Sequence, residues 1–124
     1  MQIRVYYEDT DIGGIVYHSK YLNFCERARS NILFQKGINV FDLDTNSGFV
    51  VKNIDANFIK SATLGDLLDI KTYIKDYSKV TLTLNQQIFK NNEKIFEMDI
   101  LLVYLKNSKP SKIPQHFIQV FQNS

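Results

Sequence analysis

The chain has 124 residues, of which 44% are apolar and 23% are charged. This is ordinary globular composition and excludes a disordered or fibrous chain. Lysine and arginine total 15 against 13 acidic residues, and the net charge of +2 is too small to indicate a nucleic-acid partner. We therefore expect one globular domain over residues 1–124.

Cysteine content and hydropathy indicate the cellular compartment in which we expect the protein. The single cysteine, Cys25, excludes an internal disulfide and favours a reducing environment. The longest apolar run covers only residues 100–105, which is too short for a transmembrane segment. The first residues lack the apolar stretch of a signal peptide. The sequence thus predicts a soluble, cytoplasmic protein.

The first predicted elements are a strand and a long helix. Polar and apolar residues alternate over residues 2–8, which predicts a strand. Apolar residues then recur at helical spacing over residues 19–36, and Gly37 stands where a helix C′ glycine is expected. The stripe is broad, which predicts a well-buried helix.

Four more strands are predicted after this helix. Alternation places them at residues 53–58, 68–74, 80–88 and 94–106. Turn-forming residues at 76–78 and at Asn91–Asn92 separate the last three as antiparallel hairpins. One helix and five strands indicate an α+β fold with its core over residues 2–106.

Two further expectations come from the end of the chain. The last predicted strand is apolar on both faces beyond Ile100, so it needs cover from the helix and from a second subunit. We therefore expect a homo-oligomer. The tail over residues 107–124 contains a predicted short amphipathic helix at 115–122.

The densest polar group is the run from Glu8 to Asp11, between the first strand and the helix. Taken alone, such a run is most often a solvated turn. Asp9 and Asp11 have the spacing that opens an EF-hand loop, but Lys20 stands where the bidentate glutamate is required, so no metal site is predicted.

The residues after this acidic run favour acyl-transfer chemistry. Gly13 and Gly14 lack the GxGxxG spacing of a dinucleotide site, but they permit a positive φ or close approach to a ligand. The helix that follows begins with unpaired N–H donors. A carboxylate beside such donors suits an acyl-transfer site, in which one group attacks or activates water and the other holds the developing oxyanion.

Residues 4–21 read R-V-Y-Y-E-D-T-D-x-G-G-I-V-Y-H-x-x-Y, and E-R-A-R follows at residues 26–29. This pattern closely resembles acyl-CoA thioesterases of the hotdog fold. It is most similar to the 4-hydroxybenzoyl-CoA thioesterase family and, within it, to the branch associated with the bacterial Tol–Pal envelope system. The order of elements agrees over about residues 2–106. The resemblance implies a five-stranded antiparallel sheet wrapped around one long helix.

The resemblance also assigns roles to individual residues. It implies that Asp11 is the catalytic carboxylate, either as a nucleophile or as a base for water, and that the His18 backbone N–H is the oxyanion donor. Gly14 is predicted to contribute to substrate binding, and Tyr7 and Tyr17 are candidates for lining the acyl pocket. No metal is implied, and no cofactor is expected because coenzyme A is part of the substrate.

The implied activity is hydrolysis of an acyl-CoA thioester to a free acid and coenzyme A by a homo-oligomer, either a dimer or a dimer of dimers (a homotetramer). Acyl carrier protein is a further candidate partner. One alternative is another hotdog enzyme such as a dehydratase, although the HFPG-type motif is missing. A second is a non-catalytic module that binds acyl-CoA or acyl carrier protein and has no need of Asp11.

Three other groups of residues receive structural interpretations. Cys25 lies on the apolar stripe and is predicted to be a buried structural thiol. Asp9 is predicted to support the turn, and His116 is predicted to lie on the surface. Glu26, Arg27 and Arg29 are predicted to form a solvated or subunit-facing set of charges.

Overall fold

An antiparallel sheet of seven strands and one long helix form most of the computed structural model, which describes residues 1–124. The strands are β1 (Gln2–Arg4), β2 (Phe41–Asp42), β3 (Ser47–Phe58), β4 (Leu67–Tyr77), β5 (Thr81–Lys90), β6 (Glu93–Lys106) and β7 (Lys109–Pro110), and the helices are α1 (His18–Phe34) and α2 (Gln115–Gln122). Neighbouring strands follow the order β1-β4-β5-β6-β3-β2, and β7 pairs with β6. All pairings are antiparallel, which confirms the predicted α+β class.

The prediction of five strands is wrong in number, because β2 and β7 have only two residues each. Strands this short leave no alternation to detect in the sequence. The first predicted strand is also too long, since β1 ends at Arg4 and a 3-10 turn occupies Tyr7–Asp9. The turn closes because the Asp9 carboxylate accepts a hydrogen bond from the Tyr6 N–H over 2.9 Å.

Helix α1 covers the inner face of the sheet, as its apolar stripe predicts. Its buried apolar residues face those of β4, β5 and β6, and together these include Tyr21, Phe24, Cys25, Ala28, Leu33, Leu68, Leu84, Ile88, Phe96, Met98 and Ile100. Each large apolar side chain buried in this way contributes about 1.5–3 kcal/mol, so packing is the main stabilisation of the helix. The helix ends before Gly37, whose φ of +72° suits the predicted C′ position.

Helix α2 agrees with the amphipathic helix predicted for the tail. The Phe117 ring lies 5.0 Å from Phe49 and 5.8 Å from Tyr104, between centroids, so the helix packs against β3 and β6 of its own chain. None of the helices has both the length and the apolar character needed to cross a membrane.

The outer edge of β3 is open along most of its length. Strand β2 pairs only with Ser47 and Gly48. Farther along β3, the apolar residues Val50, Val51 and Ile54 are 40%, 50% and 38% exposed. An unpaired strand edge that carries apolar residues is a surface that proteins usually cover.

Candidate active site

The loop between β1 and α1 is folded back on itself and presents Asp11 at a tight turn. The Asp11 N–H donates to the Ile15 carbonyl over 3.0 Å, and the Gly14 N–H donates to the Asp11 carbonyl over 3.1 Å. Gly14 has a φ of +74°, in the left-handed region that favours glycine, and a Cβ built there would have no atom within 4 Å. Glycine is therefore favoured at position 14 for backbone conformation and not for space.

The same loop is anchored to the segment between β3 and β4. The Val16 N–H donates to the Ala62 carbonyl over 2.9 Å, and the Leu64 N–H donates to the Gly14 carbonyl over 3.0 Å. Ile15 and Thr63 also form an isolated antiparallel bridge. These backbone bonds hold the Asp11 turn in a fixed position relative to the sheet.

The two aspartates of the acidic run have different surroundings. Asp9 is 4% exposed, its carboxylate accepts from the Tyr6 N–H, and its carbonyl accepts from the Tyr17 N–H over 3.1 Å. Asp11 is exposed, and its Oδ1 accepts one bond, from the Gly13 N–H over 2.9 Å. The Asp11 Oδ2 accepts no hydrogen bond from the chain. Asp9 therefore supports the turn, while Asp11 keeps an oxygen free for chemistry.

Helix α1 begins at His18 and supplies a free backbone donor. Its N-cap residue, Tyr17, makes no side-chain capping bond, and the His18 N–H has no acceptor in the chain. The start of a helix carries partial positive charge, so this N–H suits an oxygen that gains negative charge. The His18 ring packs edge-on to Phe58, with 5.0 Å between centroids.

A cavity of about 420 Å³ lies between the start of α1 and the end of β3. It is lined by Asp11, Ile15, Val16, Tyr17, His18, Tyr21, Phe58, Ile59, Lys60 and Ser61. The structure thus brings three of the five predicted site residues together, namely Asp11, Tyr17 and His18. A larger depression of about 550 Å³ lies between α1 and β4, but none of the predicted site residues lines it.

Gly14 and Tyr7 do not line the cavity. Gly14 acts on the site through the backbone of the loop, as described above. Tyr7 lies on the 3-10 turn with 76% of its surface exposed, and no part of this chain packs it into the cavity wall. Their assignment as substrate-binding residues stays a prediction.

Sequence reasoning missed the second wall of the cavity, which residues 58–61 form. Phe58 ends β3, and Lys60 reaches the rim, where its Nζ lies 2.8 Å from Glu93 Oε1. Tyr21, which the sequence predicts on the apolar stripe of the helix, also lines the cavity. No local pattern connects residues 58–61 to the acidic run, because only the fold brings them together.

One charged residue departs from its predicted surface position. Arg29 is buried, and its guanidinium donates to Gln86 Oε1 over 3.0 Å. The Gln86 amide in turn donates to the Cys25 carbonyl over 2.9 Å and to Thr72 Oγ1 over 3.0 Å. Burial lowers the pKa of Arg29. The prediction of a solvated or subunit-facing set is therefore wrong for Arg29 and right for Glu26 and Arg27, which are exposed.

Two other side chains agree with their structural interpretations. Cys25 is fully buried, and burial raises the pKa of its thiol to about 12, so it is a poor nucleophile. His116 is exposed on α2. No group of three or more potential metal ligands comes together in the structure, and the absence of a cofactor stays a prediction.

An antiparallel sheet that packs around one long helix is the architecture of a hotdog-fold protein. Residues 5–121 match the family model of the thioesterase-like superfamily. The chain therefore belongs to that superfamily.

Individual relatives give the same assignment. An acyl-CoA thioesterase YbgC from Helicobacter pylori is 47% identical over 89 residues, or 72% of this chain and 65% of the relative. A protein of the same name from Haemophilus influenzae is 33% identical over 98% of this chain and 92% of its own. The crystal structure of a probable thioesterase from Bartonella henselae is 32% identical, with a TM-score of 0.84 over 92% of this chain and 97% of that one.

Proposed function

We propose that this protein hydrolyses acyl-CoA thioesters to a free carboxylic acid and coenzyme A. Membership of the thioesterase-like superfamily supports the reaction class. The observation that carries the proposal is that Asp11 and His18 line one cavity, Asp11 with a free carboxylate oxygen and His18 with a backbone N–H that has no acceptor in the chain. This chain spans only 65% of the length of the Helicobacter pylori relative. The specificity for acyl-CoA is inferred from the names of such relatives and is therefore part of the proposal.

In the proposed mechanism, the His18 N–H donates to the thioester carbonyl oxygen. Its donation strengthens as negative charge develops on that oxygen, and the partial charge at the start of α1 adds to the effect. The rings of Tyr17 and Phe58, which also line the cavity, lie 6.2 Å and 5.0 Å from the His18 ring, between centroids. The site thus lowers the energy of the tetrahedral intermediate more than that of the bound substrate.

Asp11 acts on the carbonyl carbon in one of two ways. As a nucleophile, its free oxygen attacks the carbon, the C–S bond breaks to release the coenzyme A thiolate, and water hydrolyses the resulting mixed anhydride. As a base, it takes a proton from water while that water attacks the same carbon, after which the C–S bond breaks and the proton on Asp11 passes to the departing coenzyme A thiolate. Mass spectrometry of single turnovers quenched with acid separates the two routes, since only the nucleophile route forms an acylated Asp11.

Lys60 is proposed to meet a phosphate group of coenzyme A. It lies on the rim of the cavity, and its side chain is 62% exposed. Its partner Glu93 is also exposed, so this ion pair contributes little and exchanges easily for a phosphate.

The protein is further proposed to be a cytoplasmic homo-oligomer, either a dimer or a homotetramer. The open edge of β3 and the half-buried outer residues of β6, Leu101 and Val103, support an assembly that covers them. Acyl carrier protein is proposed as a second thioester carrier. The link to the Tol–Pal system stays a prediction.

The test is release of free thiol from a panel of acyl-CoA esters. Hydrolysis by the wild-type protein, lost in Asp11→Asn, is expected. Calorimetric binding of the esters with no hydrolysis would contradict the proposal and favour the non-catalytic binding module. Light scattering at micromolar concentration tests the assembly, and a monomer there would contradict it.

A further inference from the structure

Tyr21 combines deep burial with an unused hydrogen-bond donor. It is 3% exposed, and its hydroxyl oxygen accepts a hydrogen bond from the Ala62 N–H over 2.9 Å. The phenolic hydrogen has no acceptor in the chain, although a phenol both donates and accepts. Tyr21 also lines the cavity, and the bond from Ala62 leaves this donor unused.

The ring of Tyr21 is held rigidly. Its centroid lies 5.3 Å from that of Phe96 in a stacked arrangement and 5.7 Å from that of Phe58 in an edge-on arrangement. Burial raises the pKa of Tyr21, so the hydroxyl keeps its proton at neutral pH. The hydroxyl is therefore a donor fixed in place before any ligand arrives.

The position of Tyr21 in the cavity separates it from the reacting carbonyl. Asp11 and His18 are exposed, whereas Tyr21 lies one helical turn after His18 and is buried. The exposed pair therefore forms the mouth of the cavity and Tyr21 forms its inner wall. An acyl group that enters the cavity from a thioester at its mouth would approach Tyr21.

We propose that the Tyr21 hydroxyl donates a hydrogen bond to an oxygen on the acyl group of the substrate. The enzyme then prefers acyl groups that carry an oxo or hydroxyl oxygen near the thioester over apolar groups of the same length. This inference rests on the proposed function, since it assigns the acyl end of the same site. A site built to hydrogen-bond a substrate discriminates against the analogue that lacks the partner.

A purely structural role for Tyr21 makes a different prediction. Holding residue 62 against the helix uses only the acceptor function of the hydroxyl. Loss of that bond would disturb Ala62, whose carbonyl accepts from the Val16 N–H and so anchors the loop that carries Asp11. Hydrolysis of all substrates would then slow equally. The ratio between two substrates therefore separates the two roles.

The experiment measures kcat/KM for 3-oxobutyryl-CoA and butyryl-CoA in the wild type and in Tyr21→Phe. Intrinsic differences in reactivity between the substrates cancel in the comparison of ratios. We expect the preference for the oxo substrate to fall about five- to tenfold in Tyr21→Phe, the usual range for one hydrogen bond. An equal loss for both substrates, or no change in the ratio, would overturn the inference.

Two further variants serve as controls for this experiment. Tyr104→Phe is the matched control, because Tyr104 is buried, makes no side-chain hydrogen bond and lies away from the cavity, so its ratio should equal that of the wild type. If Tyr21→Phe does not fold, 3-fluorotyrosine at position 21 keeps both functions and strengthens the donor, and it should raise the ratio. An unchanged ratio in that protein would overturn the inference.

A failure of the proposed function gives a different result. If the wild type hydrolyses neither ester, the thioesterase proposal fails, but the dissociation constants of the two esters still report on Tyr21. Their ratio, measured by calorimetry, should then fall in Tyr21→Phe by the same factor. If the ratio of dissociation constants is the same in the wild type and in Tyr21→Phe, the inference about Tyr21 is overturned independently of the proposed function.

Discussion

The 3-10 turn at Tyr7–Asp9 and the loop that follows it each contain one aspartate, and the structure uses the two in opposite ways. The Asp9 carboxylate is buried and bound to the backbone, whereas Asp11 is exposed with one oxygen free. The same side chain thus serves as a backbone clamp at one position and as a reactive group two residues later. Burial and hydrogen-bond partners make the difference.

The largest expected effect concerns the exposed aspartate. Asp11→Asn should reduce kcat for thioester hydrolysis by about 10²–10⁴-fold, the usual range for a lost base and a lower limit for a lost nucleophile. The dissociation constant of the acyl-CoA should stay the same or fall, because the change removes a negative charge that faces an anionic ligand. Calorimetry and a thiol-release assay measure the two quantities separately. A large rise in the dissociation constant would place Asp11 in substrate binding instead.

The second effect concerns the buried aspartate and appears in stability. Asp9→Ala should lower the free energy of unfolding by about 1–3 kcal/mol, because the Tyr6 N–H loses its acceptor. Chemical denaturation monitored by circular dichroism measures this. Asp9→Asn keeps an acceptor oxygen and is the matched control, with a smaller loss expected. Equal stability of Asp9→Ala and the wild type would contradict a structural role for Asp9.

The third effect tests the turn that presents Asp11. Gly14→Val places a β-branched residue at a φ of +74° and should reduce kcat/KM about tenfold or more, through a strain of about 1–3 kcal/mol that displaces Asp11. Gly13→Ala is the control, since its Cβ would meet Asp11 Oδ1 at an ordinary 3.5 Å and its φ is not positive. Wild-type turnover by Gly14→Val would show that the geometry of this turn does not matter.

The smallest effect concerns the rim. Lys60→Gln should raise KM about two- to fivefold without changing kcat, since one exposed ion pair with a phosphate is worth about 0.2–1 kcal/mol. The wild-type KM should also rise with salt, and the variant should respond less. Lys52→Gln, on the exposed part of β3 and outside the cavity, is the control. A KM that is the same in all three proteins would contradict the phosphate contact.

The parts of the site that were predicted are those that lie together in the sequence. Asp11, Tyr17 and His18 belong to one motif at the start of a helix whose periodicity is plain, so their proximity follows from local structure. Strands β4, β5 and β6 were found for the same reason, because each carries enough residues for alternation to show, whereas only residues 53–58 of β3 were predicted. The two-residue strands β2 and β7 carry too few.

The parts that were missed depend on contacts between distant residues. Lys60 and Ser61 reach the cavity only because β3 ends beside the start of α1. Arg29 looks like a surface charge in the sequence, and it is buried because Gln86, 57 residues later, offers an acceptor inside the core. No local pattern in the sequence encodes either pairing.

The catalytic role of Asp11 is best tested by comparing the turnover of Asp11→Asn and Asp9→Asn in one thiol-release assay. Both changes remove one negative charge from the same acidic run and preserve the shape of the side chain. If Asp11 is the catalytic carboxylate and Asp9 only supports the turn, Asp11→Asn loses at least about a hundredfold in kcat while Asp9→Asn stays within a few-fold of the wild type. The reverse order would move the chemistry to Asp9, and near-normal turnover in both would contradict a catalytic role for this loop.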